Sequence, residues 1–332
     1  MVAFSLTSNL ASSAWKHRKL LRRQLFGDLA HGVKIVSLFC FNTAFSGYTQ
    51  DYADSDGGIY EAVRRAYNEL GTFDDIIVSG AAQAEGAAVA MLFPESANVW
   101  RPLLGTAGAA KRTLYLAIRH AGFPVDAVLE SDCVAGSLRH YSVLYMVEPQ
   151  CSEAATEAIA EWAESGGQVF VTAAAASLNE WNETSAAAAK LFTPVAAHQP
   201  LFVGSRACPG GVQDHRCEAS RIQLAKQDLP SAERIDRVFY PAASGLADGG
   251  FCGVFGEKAM LELDSGGGNA SVRATFGDGS PALLRLARGV AGGAVWLAAF
   301  HPGLSYFHPA LPADRPTDKG STDANCESTF AG

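Results

Sequence analysis

Long apolar runs are missing from this 332-residue chain. None approaches the roughly 18 residues that a membrane span needs, so no membrane partner is expected. Charge is sparse as well: Asp, Glu, Lys and Arg make up 18% of the residues, and the net charge is −8. An acidic balance of this kind offers no general attraction to nucleic acid. Paired cysteines are absent. The seven stand at Cys40, Cys133, Cys151, Cys208, Cys217, Cys252 and Cys326, irregularly spaced and with no C-x-x-C pair. That argues against a disulfide framework or a structural zinc site and for a reducing, cytoplasmic compartment. Cys208, His215 and Cys217 come nearest to a ligand cluster, but a fourth ligand at a sensible spacing is lacking, so no metal is expected. Gly105-Thr-Ala-Gly108 lacks the rest of a nucleotide fingerprint, and no cofactor is expected. No acidic residue precedes Asp28. Lys16-His-Arg-Lys19 with Arg22 and Arg23 therefore reads either as an organelle transit segment or, more ordinarily, as the basic face of an exposed helix. No secretory signal is legible at residue 1, and no internal repeat is found.

What is present is enough apolar residue for a sizeable core: 48% of the chain is hydrophobic, at a mean hydropathy of +0.07. The length suits one large domain or two ordinary ones. The clearest stretch is Tyr141–Glu183. Tyr141-Ser-Val-Leu-Tyr-Met-Val147 and Gln168-Val-Phe-Val-Thr172 have the length and composition of buried strands. Between them, Ser152 can cap a helix whose Ala155, Ile159, Trp162 and Ala163 share one face, and Gly166-Gly167 ends it. Strand, crossover helix and strand form a right-handed βαβ unit of a parallel sheet.

Taken in order, residues 1–12 are small and polar and are expected to be disordered. Residues 13–31 read as a helix, Lys34–Phe41 as one strand with no evident partner, and 42–55 as a loop. Asp56 can cap a helix carrying Ile59, Val63, Tyr67 and Leu70 and ending at Gly71. Residues 13–80 thus have the rhythm of a (β/α) barrel but too few strands to close one. A linker spans 72–85. The rhythm restarts at Gly86, with strands at Ala87–Phe93 and Pro124–Leu129 and a helix over 107–121. This alternation predicts an α/β fold, a doubly wound parallel sheet that is flavodoxin-like in outline. Residues 179–190 are helical or an Ala-rich loop. Pro194–Glu257 reads as a Gly-, Pro- and Cys-rich insertion. Lys258–Leu263, Ala270–Phe276, Ala282–Leu286 and Gly293–Phe300 read as short, partly antiparallel strands. The tail, 311–332, is expected to be disordered.

Residues 86–310 resemble the class I glutamine amidotransferase-like domain of family 42 β-galactosidases, the trimerisation domain. The likeness is carried by Val-Ala-Met-Leu-Phe93, Leu-Tyr-Met-Val-Glu-Pro149, Glu-Ser-Gly-Gly-Gln-Val-Phe-Val171, Asp278-Gly-Ser-Pro-Ala282 and Ala298-Ala-Phe-His-Pro-Gly303, in that order. It implies that 13–71 is the last helix, last strand and closing helix of a preceding catalytic barrel. It also implies a homo-oligomer, a trimer in that family, and carbohydrate as a possible partner.

Class I amidotransferases need a cysteine on a tight strand-to-helix turn, a histidine and a glutamate. The matching turn, Thr172–Ser177, has small residues and no cysteine. The family's His-Pro-Glu is His301-Pro302-Gly303 in this chain, so the orienting carboxylate is expected to be missing too. A glycosidase needs two carboxylates flanking the scissile bond. Neither can be assigned, since the resemblance implies that the barrel strands bearing them precede residue 13; Glu61 and Glu69 are expected on a solvated helix face. No catalytic residue is therefore assigned, and a non-catalytic support role is the main expectation, with completion of a glycosidase in trans or a small-ligand module as alternatives. Two candidate sites remain. Phe41, Asn42, Phe45 and Tyr48 follow the last barrel strand and could form the rim of a sugar site or simply pack as a loop. Glu95, Ser96, Trp100 and Arg101, with His301, lie near the crevice where open α/β sheets bind ligands, or they serve as a helix cap and interface. A cysteine or serine beside His301 would overturn the non-catalytic expectation.

Overall fold

The computed structural model describes residues 2–6, parts of 22–29, 35–39, 58–76, 87–100, 106–201 except Ala174, 234–241, 251–263 and 269–307. Two compact units result, Met1–Gly86 and Ala87–Gly332.

In the first unit, β1 (Val2–Leu6) lies parallel to β2 (Ile35–Phe39), with Val2 opposite Ile35 and Leu6 opposite Phe39. Helical residues within 22–29 lie between them in the chain. Residues 1–12 are therefore not wholly disordered, and β2 is not alone. A parallel partner satisfies the backbone groups along one of its edges. α1 (Gly58–Gly71) follows. Its buried face is centred on Ala62 and Ala66, which pack with Leu25, while Tyr67 is 39% exposed. Val63 and Leu70 of the expected stripe pack against this cluster, while its centre shifts from Tyr67 to the alanines. Glu61 pairs with Arg64 and Arg65, and Glu69 with Arg22, all at the surface.

The second unit is built on one nine-stranded sheet. Its strands are β3 (Val89–Phe93), β4 (Val125–Leu129), β5 (Val143–Met146), β6 (Gln168–Thr172), β8 (Asp236–Phe239), β9 (Phe251–Val254), β11 (Ala270–Phe276), β12 (Pro281–Arg288) and β13 (Gly293–Ala298). The order across the sheet is β4-β3-β5-β6-β13-β12-β11-β8-β9. The first five are mutually parallel; from β13 outward the pairing is antiparallel. β7 (Val195–Leu201) and β10 (Lys258–Leu263) form a separate antiparallel ribbon. Among its described residues the segment 194–257 therefore contains three strands, two of which extend the main sheet.

Helices cover both faces of the parallel half: α2 (Glu95–Trp100), α3 (Thr106–His120), α4 (Glu130–Val134), α5 (Glu153–Glu164), α6 (Ala186–Phe192) and α7 (Pro302–Phe307). Alternate residues of β3 show this directly. Ala90 and Leu92 enter one core with Leu144, Ile159, Val169 and Leu191, and Val89 and Met91 enter another with Leu114, Ile118 and Leu304. A strand buried on both faces reads as an unbroken apolar run, as Val89–Phe93 does. In the central βαβ unit, the Ser152 hydroxyl accepts from the Ala155 N–H and caps α5. Gly167 is needed there because a Cβ would collide with the Trp162 ring.

Candidate functional site

In an open α/β sheet the chemistry lies at the carboxyl ends of the strands. Here these ends carry charged residues that are nearly fully buried. Glu130, the residue directly after β4, accepts from the N–H and hydroxyl of Ser96 (3.2 and 3.0 Å) through one oxygen, and from the Ser152 N–H (2.8 Å) through the other. One carboxylate therefore ties the first turn of α2 to the N-cap of α5. Glu148, after β5, accepts from Lys111 Nζ at 2.8 and 2.9 Å, and both side chains are buried. The ammonium also lies 4.3 Å from the centroid of the Phe93 ring. Burial pushes the Glu148 carboxyl up from its ordinary value, against the pull of Lys111.

The same pattern recurs one helix further on. Glu153 accepts from the Ala186 and Ala187 N–H groups at 2.8 Å each, and from the Ser185 hydroxyl. Burial alone would raise its carboxyl, but these donors hold it below the usual range. The Glu153 N–H itself donates to the Glu180 carboxylate. Helix N-termini are ready-made anion sites. Those of α2, α5 and α6 are occupied by carboxylates of the chain itself.

His301 is 1% exposed. Its Nδ1 lies 3.3 Å from the Thr172 hydroxyl, and its Nε2 lies 3.2 Å from a Glu257 carboxylate oxygen. The tautomer that donates Nε2–H to Glu257 leaves Nδ1 to accept from Thr172. A carboxylate therefore does orient His301, contrary to expectation, and it comes from Glu257 rather than from position 303. The reason is steric: a Cβ on Gly303 would collide with the backbone of Leu114, so α7 can cross α3 only with glycine there. The hydroxyl beside His301 belongs to a threonine, not to the serine or cysteine that would have overturned the non-catalytic expectation. Thr172 is also 1% exposed. Ala173, which follows it, has φ +44°, a strained value for a non-glycine residue on a tight turn. Hydroxyl, imidazole and carboxylate form a relay joining the end of β6, the segment after β13 and the start of β10, in which Thr172 and His301 are buried and Glu257 is 13% exposed.

Of the cysteines among the described residues, Cys133 and Cys151 are buried and Cys252 is half-buried. Burial, with Asp132 adding to it, pushes Cys133 up to about 12, and burial raises Cys151 further. Thiols held this high are inert at neutral pH.

Of the residues singled out in the sequence, Ser96 and His301 are buried but belong to separate groups. Glu95 and Trp100 are exposed on α2, and the Trp100 indole N–H donates to the Glu180 carbonyl. Arg101, Phe41, Asn42, Phe45 and Tyr48 lie outside the described residues, as do Cys208, His215 and Cys217. Among the described residues no cluster of three metal-ligating side chains occurs, and no helix is long and apolar enough to cross a membrane. Sequence reasoning missed Lys111, Glu130, Glu148, Thr172 and Glu257. A signal existed for the first three. Lys111 shares the i, i+3, i+7 face of Leu114 and Ile118, and Glu130 and Glu148 follow buried parallel strands almost directly.

No protein-family model and no curated protein matches the chain. Solved structures do. A β-galactosidase from Bacillus circulans sp. alkalophilus aligns at TM-score 0.58 and 14% identity, over 84% of this chain and 39% of that one. A GH42 β-galactosidase from G. stearothermophilus aligns at TM-score 0.55 and 15% identity, over 84% and 37%. The β-galactosidase of the Antarctic haloarchaeon Halorubrum lacusprofundi aligns at 0.53 and 16%, over 89% and 40%. The chain spans about two fifths of the length of these proteins, and what it shares with that part of each β-galactosidase is its fold.

Proposed function

We propose that this chain is the C-terminal part of a β-galactosidase-like glycoside hydrolase, and that residues 86–310 are a non-catalytic oligomerisation and support domain of amidotransferase-like ancestry. The observation that carries this reading is the closed crevice. At the carboxyl ends of β3, β4 and β5, where such sheets take ligands, Glu130 and Glu148 bind Ser96, Ser152 and Lys111 of the same chain. A phosphate or carboxylate ligand would have to displace them. In chain order the five parallel strands run 2-1-3-4-5 across the sheet, the order of flavodoxin-like folds, which supports the amidotransferase-like part of the reading. The assembly is a homotrimer. Light scattering of the full chain should return three times its 34.9 kDa mass; a monomer at micromolar concentration would remove the oligomerisation role.

A second reading, completion of a sugar-cleaving barrel in trans, has one observation in its favour. β1 and β2 are parallel strands, and among the described residues each has one paired edge only. Mixing the chain with a separately expressed barrel that carries the catalytic carboxylates should raise galactosidase activity if this holds. No gain at saturating ratios would end it.

A further inference from the structure

The β8–β9 end of the sheet carries a second group of charged side chains. Phe239 on β8 stands directly opposite Phe251 on β9, with ring centroids 6.1 Å apart, and both are exposed. Arg237, two residues before Phe239, lies on the same exposed face. Its guanidinium carbon is 4.8 Å from the Phe251 centroid, and that of Arg234 is 5.7 Å away. Gly253, opposite Arg237, puts no side chain here: a Cβ there would lie 2.8 Å from the Phe255 ring and 3.1 Å from Arg234 Cδ. An open cavity of about 410 Å³ is lined by Arg234, Arg237, Phe239, Ile235, Asp236 and Gly277.

Neither guanidinium has a carboxylate partner among the described residues. Asp236, the acid in the lining, is engaged elsewhere. One oxygen accepts from the N–H groups of Arg237 and Gly277, and the other from Lys258 Nζ at 2.7 Å. Lys258 also reaches Asp278 at 3.2 Å, which leaves one surplus negative charge against two guanidiniums. A guanidinium packed over an aromatic face still presents its N–H donors at its edge, where they match a carboxylate. The exposed Phe239 ring can take the apolar face of a cyclic body.

We propose that this cavity binds a carboxylate carried on a six-membered ring, with the Arg234 and Arg237 side chains holding the carboxylate and Phe239 packing against the ring. Two sources share this chemistry, a sugar acid and an aromatic acid. The site stands independently of the oligomerisation role, since it uses neither the crevice nor the first unit.

Isothermal titration of the full chain tests it, with galacturonate and benzoate as probes and galactose and inorganic phosphate as controls. At least one acid should bind, and which one does identifies the source. Arg237→Gln and Arg234→Gln should each weaken that binding by about tenfold or more, as expected for loss of a charge-assisted hydrogen bond. Their thermal midpoints should stay at the parent value, since neither guanidinium closes a core contact. Binding of neither acid overturns the proposal. So does galactose or phosphate binding as tightly as the acids, or acid binding that both arginine variants retain.

Discussion

Lys111 and Glu148 form an ion pair with almost no solvent contact. Such pairs add little net stability, because desolvation offsets attraction, yet removing one partner strands a buried charge. Lys111→Met should therefore destabilise the second unit by about 3–5 kcal/mol in urea unfolding, whereas Lys111→Met combined with Glu148→Leu should recover most of the loss. If the double variant is as unstable as the single one, the pair is not the cause. Gly303 supports a sharper expectation. Gly303→Glu would create a His-Pro-Glu sequence, but its side chain must enter the backbone of Leu114. It should unfold the α3–α7 contact rather than create a working site, and circular dichroism melting would register this as a lower midpoint.

At the scale of elements, α6 is the informative case. Seven residues, four of them alanine, cannot hold a helix alone in water. Both ends are fixed by side chains from other elements. Glu153 caps the first N–H groups, and Arg288 of β12 donates to the Leu191 and Thr193 carbonyls at 2.6 Å each. Glu153→Gln should cost about 1 kcal/mol, the usual worth of an N-cap. Its pH signature has a definite sign. The folded-state carboxyl lies below its ordinary 4.5, so its contribution is complete above that value and fades as pH falls through the lower folded value. The parent should lose more stability than Glu153→Gln across that acid range; parallel pH profiles would contradict the cap.

The same elements show what can be read from the sequence. The parallel half was legible because its strands are buried on both faces and read as unbroken apolar runs, and because α5 repeats its apolar residues at helical spacing. β1 was hidden, since five residues amid small polar ones carry no helix or turn signal. β8 and β9 were hidden in a segment rich in glycine and proline, where pairing of β8 with β11 and of β9 with β8, rather than local pattern, makes the strands. Of the candidate site, His301 was legible from its motif. Glu257 was not, for it lies 44 residues away and only the tertiary fold brings it to the imidazole.

On the scale of the whole molecule, the central claim is that a scaffold of the kind used for nucleophilic chemistry is kept here for shape. Among the described residues the carboxyl-end crevice is filled from within, Cys133 and Cys151 are buried, and so are Thr172 and His301 of the relay to Glu257. Turnover of glutamine by the purified chain, measured beside a His301→Ala variant, tests this most directly. The account predicts rates equal to the buffer rate for both proteins. Enzyme-like hydrolysis by the parent that His301→Ala abolishes would contradict it.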